Sequence, residues 1–311
     1  MKLTKTWYKH KWVYLLLILV VLGIILTIQY TIDICKSYKN LNHYDVKTID
    51  TEYGKMSYLD EGSGETIVIS HGIFGGYDQG SVSLKSLMEN DYRKIAPSRF
   101  GYPGSDLPSE PTPKNQAKAF LSLLDQLSIQ KAYIIATSAG GAAGITFAIE
   151  YPDRVKGLIL LSSGVPTTKK TREEIKGMTG PPAIIINDFP MWLVTKYFGF
   201  VFKSMFGSDI NNDIYNTMLP VEPRKNGIKT DGTITNLDMD INFDNYKVEK
   251  ITAPILVVQS KDDPMVKYED TKKIIARTNA KTAIFETGGH LITGHGNAVS
   301  TKIKDFIEET K

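Results

Sequence analysis

The sequence predicts an α/β domain, with a mostly parallel sheet, helices on both faces and an inserted helical cap, behind one transmembrane helix. Three observations carry this. Residues 12–30 form an apolar run without a single charge. From Val46 onward, short apolar segments alternate with segments whose apolar residues recur at helical spacing, the pattern of a parallel sheet flanked by helices. The alternation breaks after Pro166 and resumes at Ile255, leaving roughly 80 residues, an unusually long connection unless it has structure of its own.

The N-terminal run reads WVYLLLILVVLGIILTIQY, and at 1.5 Å per residue it spans roughly 30 Å, the thickness of a bilayer's hydrocarbon core. Lys2, Lys5, Lys9 and Lys11 precede it, and Trp7, Tyr8, Trp12 and Tyr30 stand near its two ends, where aromatic rings favour the interface. A cleaved signal peptide would have a shorter apolar region of about 7–15 residues ending in a small-x-small site, and residues 29–33 offer none. Cys35 follows Ile32, Asp33 and Ile34, which are too bulky and acidic for a lipoprotein cleavage box. An uncleaved single-pass anchor in the cell membrane is expected. The excess of lysines before it puts residues 1–11 in the cytoplasm and the remainder outside. Residues 31–45, polar and mixed, are expected to form a short tether.

The rest of the chain follows in order. Residues 46–53 and 55–60 suit a hairpin around Gly54. Residues 66–70 are a nearly continuous apolar run, as expected of a strand buried on both faces, and residues 94–96 a weaker one. Ala117, Phe120, Leu121, Leu124 and Leu127 mark a helix, residues 132–136 a further buried strand, and residues 142–150 a helix ended by Tyr151-Pro152. Strands follow at 158–161, 255–259 and 282–286. This divides the domain into a first core part, 46–166, a helical cap, 167–248, and a second core part, 249–311. The cap carries an aromatic stretch over 189–206, with Trp192, Tyr197, Phe198, Phe200, Phe202 and Phe206. Such a stretch can pack the cap against the sheet, line an apolar acyl pocket, or dip into the bilayer near the anchor.

Composition sets limits. A net charge of +3 over 311 residues, with no long basic run after the N-terminal region, gives no ground for nucleic-acid binding. One cysteine rules out an intrachain disulfide, and no Cys or His spacing suggests a metal site.

The segment Ala136-Thr137-Ser138-Ala139-Gly140-Gly141 joins a buried strand to a helix. A serine on so sharp a turn projects its hydroxyl beyond the sheet edge, and small neighbours let the turn close. A turn with a merely capping serine fits the segment too. His71-Gly72-Ile73-Phe74-Gly75-Gly76 follows the 66–70 strand, where a loop can aim backbone N–H groups at a developing oxyanion. An acid is expected after the 255–259 strand, in Ser260-Lys261-Asp262-Asp263-Pro264. Asp262 is the first choice for the acid, with Asp263 close behind, and Asp263 taken alone suits a cap for a helix starting near Pro264. A base is expected after the 282–286 strand, in Thr287-Gly288-Gly289-His290, with His290 preferred to His295.

The order Ser, Asp, His and these five segments together resemble the α/β-hydrolase superfamily, from about Tyr58 to Phe306 with the cap as an interruption. Ser98-Arg99-Phe100-Gly101-Tyr102-Pro103-Gly104-Ser105-Asp106 is similar to the family's Gly-x-Gly-x-Ser loop after the fourth strand, and residues 148–155 to its junction after the nucleophile helix. Ala136 departs from the family, which has glycine there. The resemblance implies a Ser138–His290–Asp262 triad working by acyl transfer to water. It also implies an oxyanion hole from the N–H groups of Ile73 and Ala139, with Phe74 as second choice, and no metal or organic cofactor. The expected substrate is a carboxylic ester, either a small molecule or a lipid-like one, since the anchor holds the site near membrane. Amide, thioester or carbon–carbon cleavage and Pro-specific peptidase activity use the same machinery. A ligand-binding receptor or scaffold could use the same fold.

Overall fold

The computed structural model describes residues 4–88, 91–175, 180–207, 214 and 217–311. Lys2 of the basic cluster, and residues 176–179, 208–213 and 215–216 of the expected cap, lie outside this set. The strands are β1 (Lys47–Thr51), β2 (Gly54–Glu61), β3 (Glu65–Ser70), β4 (Tyr92–Pro97), β5 (Ala132–Thr137), β6 (Val155–Leu161), β7 (Ile255–Ser260) and β8 (Lys281–Phe285). They form an eight-stranded sheet in the order β1-β2-β4-β3-β5-β6-β7-β8. β1 and β2 are the expected hairpin, turning at Gly54, whose φ of 98° lies in the region glycine adopts at no steric cost. β2 pairs antiparallel with β4, and the remaining pairings are parallel.

Side chains alternate across the inner strands and sort the core into two layers. Val68, Ile134, Leu158, Leu160 and Val257 point to a face covered by α3 (Pro113–Gln126), α4 (Gly141–Glu150) and α9 (Tyr268–Arg277). Ile67, Ile69, Ile135, Ile159 and Val258 point to the other, covered by α2 (Tyr77–Leu87) and α10 (Gly296–Thr310). Burial on both faces is why these strands read as continuous apolar runs. α3 starts earlier than its apolar spacing suggested. Pro113 fits its first turn, and the Thr112 side chain accepts from the Asn115 N–H at 3.2 Å. Neither α2 nor α10 was among the expected elements.

The connection from β6 to β7 is helical in its described residues: α5 (Asp188–Tyr197), α6 (Gly199–Phe206), α7 (Lys225–Thr230) and α8 (Asn236–Ile241), with short 3-10 turns between. A π-helical stretch, Asp231–Thr235, joins α7 to α8.

At the N-terminus α1 (Thr4–Leu41) is a single helix, long and apolar enough over residues 11–41 to cross a membrane. This corrects the expected tether, because residues 31–41 continue the helix. Leu26, Tyr30, Ile34, Tyr38 and Leu41 repeat at helical spacing and pack against the domain: Leu26, Tyr30, Ile34 and Tyr38 on the cap cluster around Trp192, and Leu41 on the α2 face of the sheet. The Tyr77 hydroxyl donates to the Leu41 carbonyl at 3.1 Å, closing the end of α1 onto α2.

Candidate active site

β5 ends at Thr137, and the chain turns through a short 3-10 segment, Ser138–Gly140, into α4. Ser138 has φ of 51°, a left-handed conformation that costs a side-chain-bearing residue about 1–2 kcal/mol. This strain turns the hydroxyl out of the sheet edge, where Ser138 is half-buried. The turn closes only with small neighbours. A Cβ on Gly140 would lie 2.0 Å from the Ser70 carbonyl oxygen, and one on Gly141 2.2 Å from that of Gly164. The methyl of Ala136, at the family's glycine position, is accommodated from the facing helix. A Cβ on Gly144 would come within 2.6 Å of it.

His290 arrives from the loop after β8, where Gly288 and Gly289 have φ of 136° and 62°. Its Nε2 lies 2.9 Å from the Ser138 hydroxyl oxygen. Its Nδ1 lies 2.8 Å from Asp263 Oδ2. A carboxylate can only accept, so Nδ1 carries the proton and Nε2 accepts from Ser138.

The carboxylate on His290 is therefore Asp263, and the expectation of Asp262 is corrected. Asp262 is exposed and accepts from the N–H groups of Gly288 at 3.2 Å and Gly289 at 2.9 Å, one step back along the histidine loop. Asp263 is buried. Its Oδ1 accepts from the N–H groups of Met265 and Val266, and its Oδ2 also accepts from the Gln259 side chain at 2.9 Å. The helix cap expected of Asp263 is corrected as well, since its Oδ1 closes only a local turn and no helix starts near Pro264. α9 begins at Tyr268 rather than near Pro264. His295 lies against the Phe285 ring, 4.6 Å between centroids, at the head of α10.

The loop after β3 lies beside the serine. A Cβ on Gly72 would be 3.1 Å from the Ser138 Cβ, so the backbone running into Ile73 and Phe74 passes close to the hydroxyl. Phe74 itself has φ of 60° and is buried. Ala139 follows Ser138 in the first turn leading to α4.

A family model described as alpha/beta hydrolase fold matches residues 65–293. The chain belongs to the α/β-hydrolase family. A hydrolase of uncharacterized function from Bacillus subtilis (strain 168) is 36% identical over 119 residues, 38% of this chain and 41% of that protein. A 2-hydroxy-6-oxononadienedioate/2-hydroxy-6-oxononatrienedioate hydrolase from Dechloromonas aromatica (strain RCB) is 28% identical over 278 residues, 81% of this chain and 90% of its own length. Among solved structures, an esterase from Exiguobacterium antarcticum superposes with a TM-score of 0.67 at 18% identity, covering 84% of this chain and 99% of that one.

In this α/β-hydrolase a buried polar network holds the loop after β3. His71 Nδ1 donates to the Gly72 carbonyl at 2.8 Å, and Nε2 accepts from the Arg99 N–H at 3.0 Å. Burial, followed by the positive charges of Arg99 and Arg224, holds the His71 imidazole well below the usual histidine range, so it is neutral. The Arg99 side chain donates to the His71 carbonyl at 2.9 Å and forks onto Asp231 with two contacts of 2.6 Å. Tyr102 donates to Asp231 Oδ2 at 2.5 Å. Arg224, fully buried, pairs with Asp78. Sequence reasoning assigned no role to these groups. Arg99 and Tyr102 stand inside the 98–106 motif, which was a usable signal. Asp231 had none, since it reaches Arg99 only because the cap folds back with a π-helical turn at that point.

Proposed function

We propose that the chain is a membrane-anchored serine hydrolase that cleaves a carboxylic ester through an acyl-enzyme. The observation carrying this reading is the unbroken relay from Asp263 Oδ2 to His290 Nδ1 and from His290 Nε2 to Ser138 Oγ, at 2.8 and 2.9 Å. His290 takes the Ser138 proton as Oγ bonds to the substrate carbonyl carbon. Asp263 stabilises the imidazolium, and the N–H groups of Ile73 and Ala139, with Phe74 as the second choice for the first, receive the oxyanion. His290 then protonates the departing alcohol. Water, deprotonated by His290, attacks the acyl carbon and releases the acid together with free Ser138.

The helix α1 supplies the anchor by length and composition, with residues 12–30 as the span, the N-terminus in the cytoplasm and the domain outside.

Carbon–carbon cleavage is the second reading, supported by the names of the relatives matched over most of the chain. Those names denote carboxylate-bearing substrates, which favour a free cation in the site. Here the buried Arg99 and Arg224 are each paired with an aspartate, Asp231 and Asp78, so neither offers an uncompensated charge to such a substrate.

The test is direct. The full-length chain in detergent is treated with a fluorophosphonate probe beside Ser138→Ala, then assayed on p-nitrophenyl esters of rising chain length and on a 2-hydroxy-6-oxo-dienoate. Labelling that depends on Ser138, with ester turnover, is expected. Turnover of the dienoate alone would replace the ester reading with the second, and absence of labelling would remove both.

A further inference from the structure

Outside α1, seven large apolar side chains are exposed among the described residues. Five of them, Ile184, Phe189, Tyr197, Phe198 and Phe200, fall within residues 184–200, the other two being Leu107 and Met265. These five lie on α5, at the start of α6, or in the turn before α5. A soluble surface seldom gathers exposed aromatics in this way without something to cover them.

α5 is also the element on which α1 docks. The Tyr30 ring meets Phe189 edge-on at 5.2 Å and Trp192 at 5.4 Å. Trp192 Nε1 donates to Asp33 Oδ2 at 2.9 Å, Lys196 pairs with the same carboxylate, and the Tyr38 hydroxyl donates to Asp188 at 3.1 Å. Leu26 packs on the same cluster. It stands four residues, about 6 Å of helix, inside Tyr30, where the apolar run ends. The cap therefore reaches below the outer end of the membrane-spanning run. A bilayer fitted to residues 12–30 brings its interface to the level of Phe189 and Tyr197, whose hydroxyl bonds the Gln29 side chain. α1 passes into this contact as unbroken helix, so the domain's orientation on the membrane is fixed by packing.

We infer that the exposed α5–α6 face is a bilayer-docking surface, seated at the boundary of headgroups and acyl chains in the leaflet from which α1 emerges. Resting on the serine-hydrolase reading, this also names the substrate class: an ester whose acyl chain stays partly in the membrane while its carbonyl reaches Ser138. The path is short. α6 begins at the exposed aromatics and ends on the catalytic loop. The His290 N–H donates to the Met205 carbonyl and the Leu291 N–H to that of Phe206, both at 3.2 Å. The Phe206 ring stacks on Phe202 at 5.5 Å and lies 6.2 Å from the His290 ring. From Gly199 to Phe206 is about 10 Å of helix, well under the length of a lipid acyl chain. Burial depths of about 5–10 Å are usual for apolar faces lying in an interface.

The experiment uses the full-length chain, in a Cys35→Ser background, reconstituted in phosphatidylcholine vesicles. Phe198→Cys, Phe200→Cys, Leu19→Cys and Asp153→Cys are each labelled with an environment-sensitive fluorophore and challenged with lipids carrying a quencher in the acyl chain. Asp153 is exposed, at the opposite end of the sheet from Ser138, and serves as the aqueous reference. Quenching at positions 19, 198 and 200 but not 153 is expected. Quenching at 19 alone overturns the docking surface, including the case where positions 198 and 200 are shielded by a second protein. No quenching at 19 overturns the anchor and the surface together.

The substrate class has its own arm. Phe198→Ser with Phe200→Ser should slow hydrolysis of a long-chain ester dissolved in the vesicles by about tenfold. Hydrolysis of soluble p-nitrophenyl acetate and fluorophosphonate labelling should be unchanged. Equal loss on both substrates, or none on either, overturns the delivery role. Loss of probe labelling in the unmodified chain would instead count against the hydrolase reading and leaves the quenching result standing.

Discussion

Asp263 holds His290 by one carboxylate oxygen and its own backbone turn by the other. Oδ2 accepts from Nδ1 at 2.8 Å, while Oδ1 accepts from the N–H groups of Met265 and Val266 at 2.8 and 3.0 Å. The second set of bonds leaves the carboxylate no freedom to swing away from the imidazole. Asp262 stabilises the same loop from outside by way of Gly288 and Gly289.

The two aspartates should thus separate cleanly in kinetics. Asp263→Asn keeps the shape but presents an amide to Nδ1, favouring the wrong tautomer. It should lower kcat on a p-nitrophenyl ester by about a thousand- to ten-thousandfold. Asp262→Ala removes exposed hydrogen bonds and should cost less than about tenfold, with a stability loss of about 1 kcal/mol. A large kcat loss for Asp262→Ala with little for Asp263→Asn would contradict the geometry.

A stability experiment reads the strain at Ser138. Alanine at this position keeps a Cβ at φ 51° and so keeps the strain, whereas glycine releases it. Ser138→Gly should be more stable than Ser138→Ala by about 1 kcal/mol. In thermal unfolding that is roughly 2 °C for a domain of this size. Identical melting temperatures would mean the turn relaxes in the absence of the hydroxyl.

Much of this site could be read before the fold was known, and the failures have physical causes. The inner strands announced themselves because both faces are buried, so Ile67, Val68 and Ile69 leave no polar gap. α2 did not, because its contact with the sheet needs small residues. A Cβ on Gly80 would lie 3.0 Å from both the Ala96 Cβ and Ile69 Cγ2. Asp262 and Asp263 are neighbours of the same chemistry, and which one faces His290 depends on how the chain leaves β7, a matter of single-residue register. The docking stripe of α1 was hidden for a different reason. Tyr30, Ile34, Tyr38 and Leu41 sit among Asp33, Lys36 and Lys39, so the segment is polar on average and its apolar stripe is diluted.

Ala136 and Gly144 should be energetically coupled. Gly144→Ala alone drives a methyl to within 2.6 Å of the Ala136 methyl, in a region where neither helix nor strand can move freely. The expected cost is about 1–3 kcal/mol. Adding Ala136→Gly removes the clashing atom. The Ala136 Cα and Ile134 Cγ2 that remain are both at 3.7 Å, ordinary contact distance. The double variant should therefore recover most of the loss in denaturant unfolding, giving a coupling well outside the additive range of about 0.3–0.5 kcal/mol. Simple additivity would show that the methyl at 136 is not what Gly144 accommodates.

Acid should destabilise the loop after β3 by way of His71. In the native protein this imidazole is held neutral, first by burial and then by Arg99 and Arg224. In the unfolded chain it titrates near its ordinary value of 6.5. As pH drops through that value the unfolded state gains a proton that the native state refuses, so unfolding becomes easier. The His71 contribution is fully present above pH 6.5 and is lost progressively below it, by at most about 1.4 kcal/mol for each pH unit. The measurement is the difference in pH slope of stability between the wild type and His71→Asn, whose side chain cannot titrate, so that the other histidines cancel. The variant should be less stable at neutral pH, having lost bonds to Gly72 and Arg99, and its stability should fall less steeply between pH 6.5 and about 5. Parallel slopes would show that His71 takes up a proton in the folded protein over the same range as in the unfolded chain, and the acceptor role of Nε2 toward the Arg99 N–H would have to be abandoned.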